Sequence, residues 1–242
     1  MTFAILLFFS APYGRHSRKG WGVTLDPRWA WIIMEAPAFL VMVAMALFGH
    51  SLDGATVSEG SALSLLFFCL WELHYAYRSF IYPFRIRNTN KHPFPLVLIT
   101  MAILFNSANA YVNGWWLFAS GFSYGSSWLT NPRFIVGIAL FFLGAWAHLD
   151  SDNILRGLRG PGESGYKIPS GGLFRYISSP NYLGEIVEWS GFALATWSVA
   201  GLAFTLFTIA NLLPRALSNH SWYLETFPDY PKERKALIPF IL

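Results

Sequence analysis

The sequence predicts an all-α, polytopic membrane protein of seven transmembrane helices, with its amino terminus outside and its carboxyl terminus in the cytoplasm. Three observations predict it. Hydrophobic residues make up 54% of the 242-residue chain, aromatic residues 18% and charged residues only 12%, a balance far from that of a water-soluble domain. The apolar residues gather into runs long enough to cross about 30 Å of hydrocarbon. The basic residues alternate: 15 of the 17 Lys and Arg fall on one side of a seven-span arrangement, and positive loops stay cytoplasmic.

Each span has its own justification. Residues 1–12 read as a short first helix, because their start lacks the basic residues of a cleaved leader. Four longer runs follow at roughly 29–50, 61–84, 94–119 and 131–152. Two shorter ones, 184–198 and 199–213, meet at Ser198-Val199-Ala200 and read as a tight helical hairpin or one broken helix. Arg15, Arg18, Lys19 and Arg28 follow the first span, and Arg85, Arg87 and Lys91 the third. Arg156, Arg159, Lys167 and Arg175 follow the fifth, and Arg215, Lys232, Arg234 and Lys235 the last. The opposite loops carry only Arg133, beside Asp53 and Glu59. Basic loops at an anionic leaflet account for the net charge of +4, so no nucleic-acid partner is expected.

The single cysteine, Cys69, excludes an intrachain disulfide and a Cys-rich metal site, and no His-x-x-x-His pair occurs; no metal is expected. No repeat and no linker divides the chain, which reads as a single membrane-embedded domain over 1–242. Residues 160–165, GPGESG, fit the dinucleotide pattern G-x-G-x-x-G. That pattern needs a preceding strand and a following helix. Here a long helical stretch precedes it and a turn-rich loop follows, so the match is expected to be chance.

Ionisable residues inside a span cost several kcal/mol and mark candidate sites. Glu35 stands among apolar residues in WAWIIMEAPAF. In the third span, Glu72, Tyr75, Arg78 and Tyr82 share one helix face at spacings of three, three and four. His148, Asp152, Arg156 and Arg159 repeat that periodicity towards the cytoplasmic end of the fifth, and Glu185 and Glu188 begin the sixth. Hydrogen bonds between helices and snorkelling at an interface would explain any one of these. Three spans together suggest an intramembrane cavity open on the basic side. Glu72 fits either the site or an ion-pair partner. Asn181, Arg215, His220, Tyr223, Asp229, Tyr230 and Arg234 crowd the carboxyl-terminal third, a surface suited to a large anionic ligand, since Arg pairs phosphate bidentately.

The stretch from SDNILRGLRGPGESGYKIPSGGLFRYISSPNYLGEIVEW to PRALSNHSWYLETFPDYPKERKALIPF closely resembles the steroid 5-alpha-reductase family (3-oxo-5-alpha-steroid 4-dehydrogenases). The likeness is dense from about His148 onwards and thinner but in register upstream, at Tyr13-Gly14-Arg15-His16, MEAPAF and HYAYRSFIY. It implies a seven-helix membrane enzyme that uses NADPH to reduce the C4–C5 double bond of a 3-oxo-4-ene steroid. By that resemblance residues 1–130 mainly enclose the substrate and 131–242 mainly hold the cofactor. Glu35 and Tyr75 match the catalytic pair at the substrate carbonyl, with Trp31 also on the substrate. Arg78, Tyr82, His148, Asp152, Arg156, Arg159, Tyr166, Asn181, Glu185, Arg215, Asn219, Tyr223 and Arg234 match cofactor positions. Met34 stands where mammalian members have Gln, His148 where they have Asn, and Asn219 where they have His. These departures, with the short first span, point away from a mammalian hormone as natural substrate.

The chemistry fits those residues. Hydride addition to an enone builds negative charge on the carbonyl oxygen, and a preorganised donor there stabilises it. A Tyr hydroxyl oriented by a neighbouring carboxyl group is such a donor, with water supplying the α-carbon proton. The resemblance implies steroid or steroid-like lipid and membrane lipids as partners, and a monomer is expected. A bacterial inner membrane, or the endoplasmic reticulum in a eukaryote, is the expected location, with the cofactor side cytoplasmic. The rivals are a related sterol or polyprenol reductase, an isoprenylcysteine methyltransferase-like enzyme, and a small transporter. A methyltransferase needs no phosphate-binding arginines, and a transporter is disfavoured by the missing repeat.

Overall fold

A computed structural model describes residues 22–52, 61–86, 93–160, 163 and 165–242. The expected first helix over 1–12 lies outside them, as do Pro161, Gly162 and Ser164 of the glycine motif. Seven α-helices and one two-stranded sheet are present among the described residues. Four of the helices are long and apolar enough to cross a membrane, as in an integral membrane protein. The chain forms two compact units that divide between Phe134 and Ile135.

In the first unit, β1 (Thr24–Leu25) pairs antiparallel with β2 (Phe94–Pro95), Thr24 opposite Pro95 and Leu25 opposite Phe94. The pairing ties the start of α1 (Pro27–Leu52) to the start of α4 (Leu96–Phe118), helped by Leu96 N–H donating to the Val23 carbonyl at 2.9 Å. Ala30, Met34, Phe94 and Ile99 are buried together there, with Leu25, Trp31, Ala102 and Ile103 packed around them. Between these helices run α2 (Ser61–Ala76), a π-helical turn (Tyr77–Ile81) and α3 (Tyr82–Arg85). Tyr82 N–H donates to the Tyr77 carbonyl, the i to i+5 bond of a π turn. The expected 61–84 span is therefore helical throughout but not of one helix type. Past α4, the buried Tyr124 hydroxyl accepts from Trp116 Nε1 at 2.9 Å, and burial pushes its phenol above the usual range.

The second unit takes most of α5 (Pro132–Gly157), then a loop with a 3-10 turn (Gly172–Arg175), α6 (Pro180–Thr196) and α7 (Val199–Thr226). Helices α5 and α6 pack backbone to backbone. A Cβ added at Gly137 would lie 2.5 Å from the Ala195 nitrogen, and one at Gly144, Gly184 or Gly191 would clash with the Glu188, His148 or Phe141 nitrogen in the same way. Small residues at such crossings let helices approach closely. Of the two readings of the junction at 198–200, a hairpin or one broken helix, the hairpin is present. Trp197 takes a left-handed φ of 47°, which stops α6, and Ser198 caps α7 by accepting from Gly201 N–H at 2.9 Å. Helix α7 does not end near 213 as expected; it runs through Pro214 to Thr226. Proline removes one helical N–H, but in a long apolar helix neighbouring groups can absorb that loss.

The carboxyl-terminal tail returns to the start of α6. Ser178 N–H donates to the Lys235 carbonyl at 2.8 Å and Lys235 N–H to the Tyr176 carbonyl at 2.9 Å.

Candidate functional site

The first unit concentrates its chemistry on Glu35, nine residues into α1 and two before Pro37, which lacks the N–H that would serve the Ile33 carbonyl. Arg78 Nη2, from the π turn, donates to Glu35 Oε1 at 3.2 Å, with both side chains largely buried. Asn106 Nδ2, from α4, donates to Glu35 Oε2 at 3.4 Å and to the Met34 carbonyl at 2.7 Å. No side-chain amide stands at position 34. The amide at this carboxylate comes from a different helix instead.

The Arg78 guanidinium lies 4.5 Å from the Trp31 ring centroid and 5.1 Å from that of Tyr82, and those two rings meet edge to face at 5.1 Å. Such cation–π contacts strengthen where water is scarce. The resemblance assigns Arg78 and Tyr82 to a cofactor. In the structure both stand with Glu35 and Trp31.

Tyr75 is 3% exposed and its ring lies 4.9 Å from that of Trp71, whose Nε1 donates to the Ala38 carbonyl of α1 at 3.1 Å. Tyr75 therefore falls between two contacts to α1, Trp71 with Ala38 and Arg78 with Glu35. Among the described residues Glu72 gains no hydrogen bond: both its carboxylate oxygens are buried without a partner there.

The second unit gathers the other expected residues. His148 lies between two carboxylates, Nε2 at 3.5 Å from Asp152 Oδ2 and Nδ1 at 3.6 Å from Glu188 Oε2. Asn181 Nδ2 donates to Asp152 Oδ1 at 3.2 Å, so the network joins α5 to α6 beside the close approach of Gly144 and Gly184. Glu188 is thus the second partner of His148, while Glu185 sits half-buried one turn before it. Arg156 donates to Asn153.

Three arginines each lie over a tyrosine ring: Arg159 over Tyr166 at 5.8 Å, Arg215 over Tyr182 at 5.8 Å and Arg234 over Tyr230 at 5.2 Å. Tyr166 also meets Trp222 at 4.9 Å, and Tyr223 stacks on Tyr230 at 5.0 Å. Arg234 Nη1 donates to the Pro169 carbonyl at 2.9 Å, and Asn219 Nδ2 to Ser179 Oγ at 3.4 Å. Ser178 Oγ lies 2.7 Å from both His220 Nδ1 and Tyr230 Oη, a knot that holds the tail against α7.

The glycine motif follows a helix, not a strand, and leads to the 3-10 turn. Gly160 N–H donates to Glu163 Oε2 at 2.9 Å, which turns a carboxylate on the first glycine of the pattern. A Rossmann loop keeps that region open for pyrophosphate.

This donor set suits an anion: three arginines, flat aromatic faces, and a loop that bends through Gly165 and Gly171 at φ of 99° and 92°.

Comparison with known proteins identifies the lineage. A family model described as 3-oxo-5-alpha-steroid 4-dehydrogenase matches residues 92–242. The chain is 42% identical over 242 residues to 3-oxo-5-alpha-steroid 4-dehydrogenase 1 of Bos taurus, covering 100% of this chain and 92% of that protein. It is 43% identical over 243 residues to the steroid 5-alpha-reductase DET2 of Solanum lycopersicum, covering 99% and 91%. To the Homo sapiens 3-oxo-5-alpha-steroid 4-dehydrogenase 1 it is 42% identical over 229 residues, covering 95% and 85%. With a family match over more than half its length and such identity along nearly all of it, the chain belongs to the 3-oxo-5-alpha-steroid 4-dehydrogenase family.

Proposed function

We propose that this protein reduces the C4–C5 double bond of a 3-oxo-4-ene steroid, or of a closely similar lipid, with NADPH as reductant. The observation that carries the reading is the Glu35 carboxylate, held at both oxygens by Arg78 and Asn106, with Tyr75 buried three residues before Arg78 on the same segment. Hydrophobic residues of similar volume often match or exceed a buried ion pair in stability, so charge placed there points to function. The family membership supplies the substrate class.

NADPH, when bound, supplies hydride to the β-carbon of the enone. The residues of this chain do the rest. Tyr75 donates a hydrogen bond to the carbonyl oxygen, and this bond strengthens as negative charge builds there. Glu35 orients the Tyr75 hydroxyl, and Arg78 and Asn106 keep Glu35 from turning away. Trp31 offers an aromatic wall to a flat apolar substrate. Arg159, Arg215 and Arg234 hold the cofactor phosphates, with Tyr166, Tyr182 and Tyr230 backing their planes. Water supplies the proton at the α-carbon, leaving a saturated ketone.

The basic loops support a seven-span arrangement in which these arginines face the cytoplasm, and α2, the π turn and α3 together supply one of the spans. Purified full-length protein in detergent tests the whole reading. NADPH absorbance is expected to fall only when a 3-oxo-4-ene steroid is added, with the 5α-reduced ketone as product. NADPH that persists with such steroids present would overturn it.

A further inference from the structure

We infer that Asn106 is a positioning residue, and that its side-chain amide decides which way the Glu35 carboxylate faces. The inference rests on the reductase reading and deepens it. Both neighbours of the amide, the Met34 carbonyl at 2.7 Å and Glu35 Oε2 at 3.4 Å, are acceptors. The NH2 end of the amide must therefore face them. The shorter bond goes to backbone on α1, the helix that carries Glu35, so α4 holds a donor in register with the carboxylate. The 3.4 Å contact lies near the outer limit of a hydrogen bond. Its value is directional.

A carboxylate held at one oxygen turns easily, because its last torsion is broad and two-fold. Arg78 holds Oε1 and Asn106 holds Oε2, from different segments, and the two together fix the plane. Asn106 is 8% exposed, so bulk water has poor access to take its place. Packing alone would ask only for volume here, which Leu supplies. Directing a carboxylate asks for a donor. Tyr75 is oriented through Glu35, so Asn106 acts on the reaction at one remove.

The experiment is a double-mutant cycle of Asn106→Leu and Glu35→Gln in the full chain, reading kcat with a 3-oxo-4-ene steroid and KM for both steroid and NADPH. Asn106→Leu is expected to lower kcat about tenfold or more while KM for NADPH stays within about twofold. In the Glu35→Gln background the same change is expected to alter kcat by less than about twofold, because residues acting as one unit are not additive. Asn106→Asp keeps the shape but exchanges a donor for an acceptor, and is expected to fall at least as far as Asn106→Leu. Equal fold-losses in both backgrounds, or near-wild-type turnover in Asn106→Asp, would overturn the positioning role. If Asn106→Leu does not fold, Asn106→Ala carries the same cycle. A wild-type chain with no turnover overturns the reductase reading instead. The contact is then read from the apparent unfolding temperatures of the same four proteins, where non-additive shifts support it and additive shifts overturn it.

Discussion

The two units hold buried polar groups by different means. In the first, one carboxylate is steered by two side-chain donors, and the helices around it meet through side chains: a Cβ on Gly114 of α4 would meet Met45 Cβ at 2.6 Å and Met42 Sδ at 3.3 Å on α1. In the second, α5 and α6 touch through backbone at four glycines, and His148, Asp152, Glu188 and Asn181 sit at that seam. Side chains can shift by tenths of an ångström, whereas two helix backbones in contact have no slack. The first arrangement suits a pocket that must accommodate the outline of a lipid. The second suits one that must present fixed charges to an invariant ligand.

The largest expected effect tests that contrast directly. Gly144→Ala sets a methyl group against the Glu188 nitrogen, and nothing can yield but the helix itself. We expect little folded protein, seen as a lost monodisperse peak in fluorescence-detected size exclusion. Gly114→Ala presses on Met45 Cβ, which moves only with the α1 backbone, and on Met45 Cγ and Met42 Sδ, which can turn aside. It is expected to fold with a loss of about 1–3 kcal/mol, the usual range for overpacking. Equal behaviour of the two variants would erase the distinction between the units.

Next come the groups proposed for catalysis and for cofactor binding. Tyr75→Phe is expected to lower kcat about 100-fold or more, the scale seen when a donor to a developing oxyanion is removed, with KM for NADPH unchanged. Arg159→Ala is expected to do the reverse, raising KM for NADPH about tenfold, or about 1.4 kcal/mol, with KM for steroid unchanged. NADPH should bind more tightly than NADH, since Arg pairs the additional phosphate. Near-wild-type hydride transfer in Tyr75→Phe would make that tyrosine a packing residue. A steroid effect in Arg159→Ala would move Arg159 out of the cofactor site.

Much of this was legible in the chain. Long apolar runs with charges at their ends gave α1, α4 and α6 within a few residues, and a lone Glu among apolar neighbours marked α1 as a candidate site helix. The break at 197–198 was legible because two short apolar runs meet there. Asn106 was not, because α4 also carries Asn109 and Asn113 and spacing alone does not say which meets another helix. The π turn was invisible for a related reason: YRSFI has neither Gly nor Pro, and the pairing of Arg78 with Glu35 is a tertiary contact. Gly137, Gly144, Gly184 and Gly191 were not legible either, because a glycine in a span carries meaning only once its partner helix is known. The apolar run that stops at 213 does not mark the end of α7, which continues through Pro214 into the polar stretch up to Thr226.

The smallest expected effect concerns the loop between α5 and α6, where the Glu163 and Lys167 side chains are exposed. Glu163 accepts from Lys167 Nζ at 2.6 Å and from Gly160 N–H at 2.9 Å, and these donors, Lys167 first, hold its carboxyl below the usual range. A carboxyl depressed on folding contributes order that is complete above its unfolded-state pKa and is lost as pH falls through the folded-state value. Protection of the Gly160 amide against hydrogen exchange, corrected for intrinsic rate, is therefore expected to hold at neutral pH and decline under acid. In Glu163→Gln it should be low and flat across that range, and high salt should weaken the wild-type protection because the pair is exposed. The apparent unfolding temperature is expected not to move. If it falls by several degrees in Glu163→Gln, this loop is part of the second unit's rigid frame, and the contrast between backbone-fixed and side-chain-steered groups must be redrawn to include it.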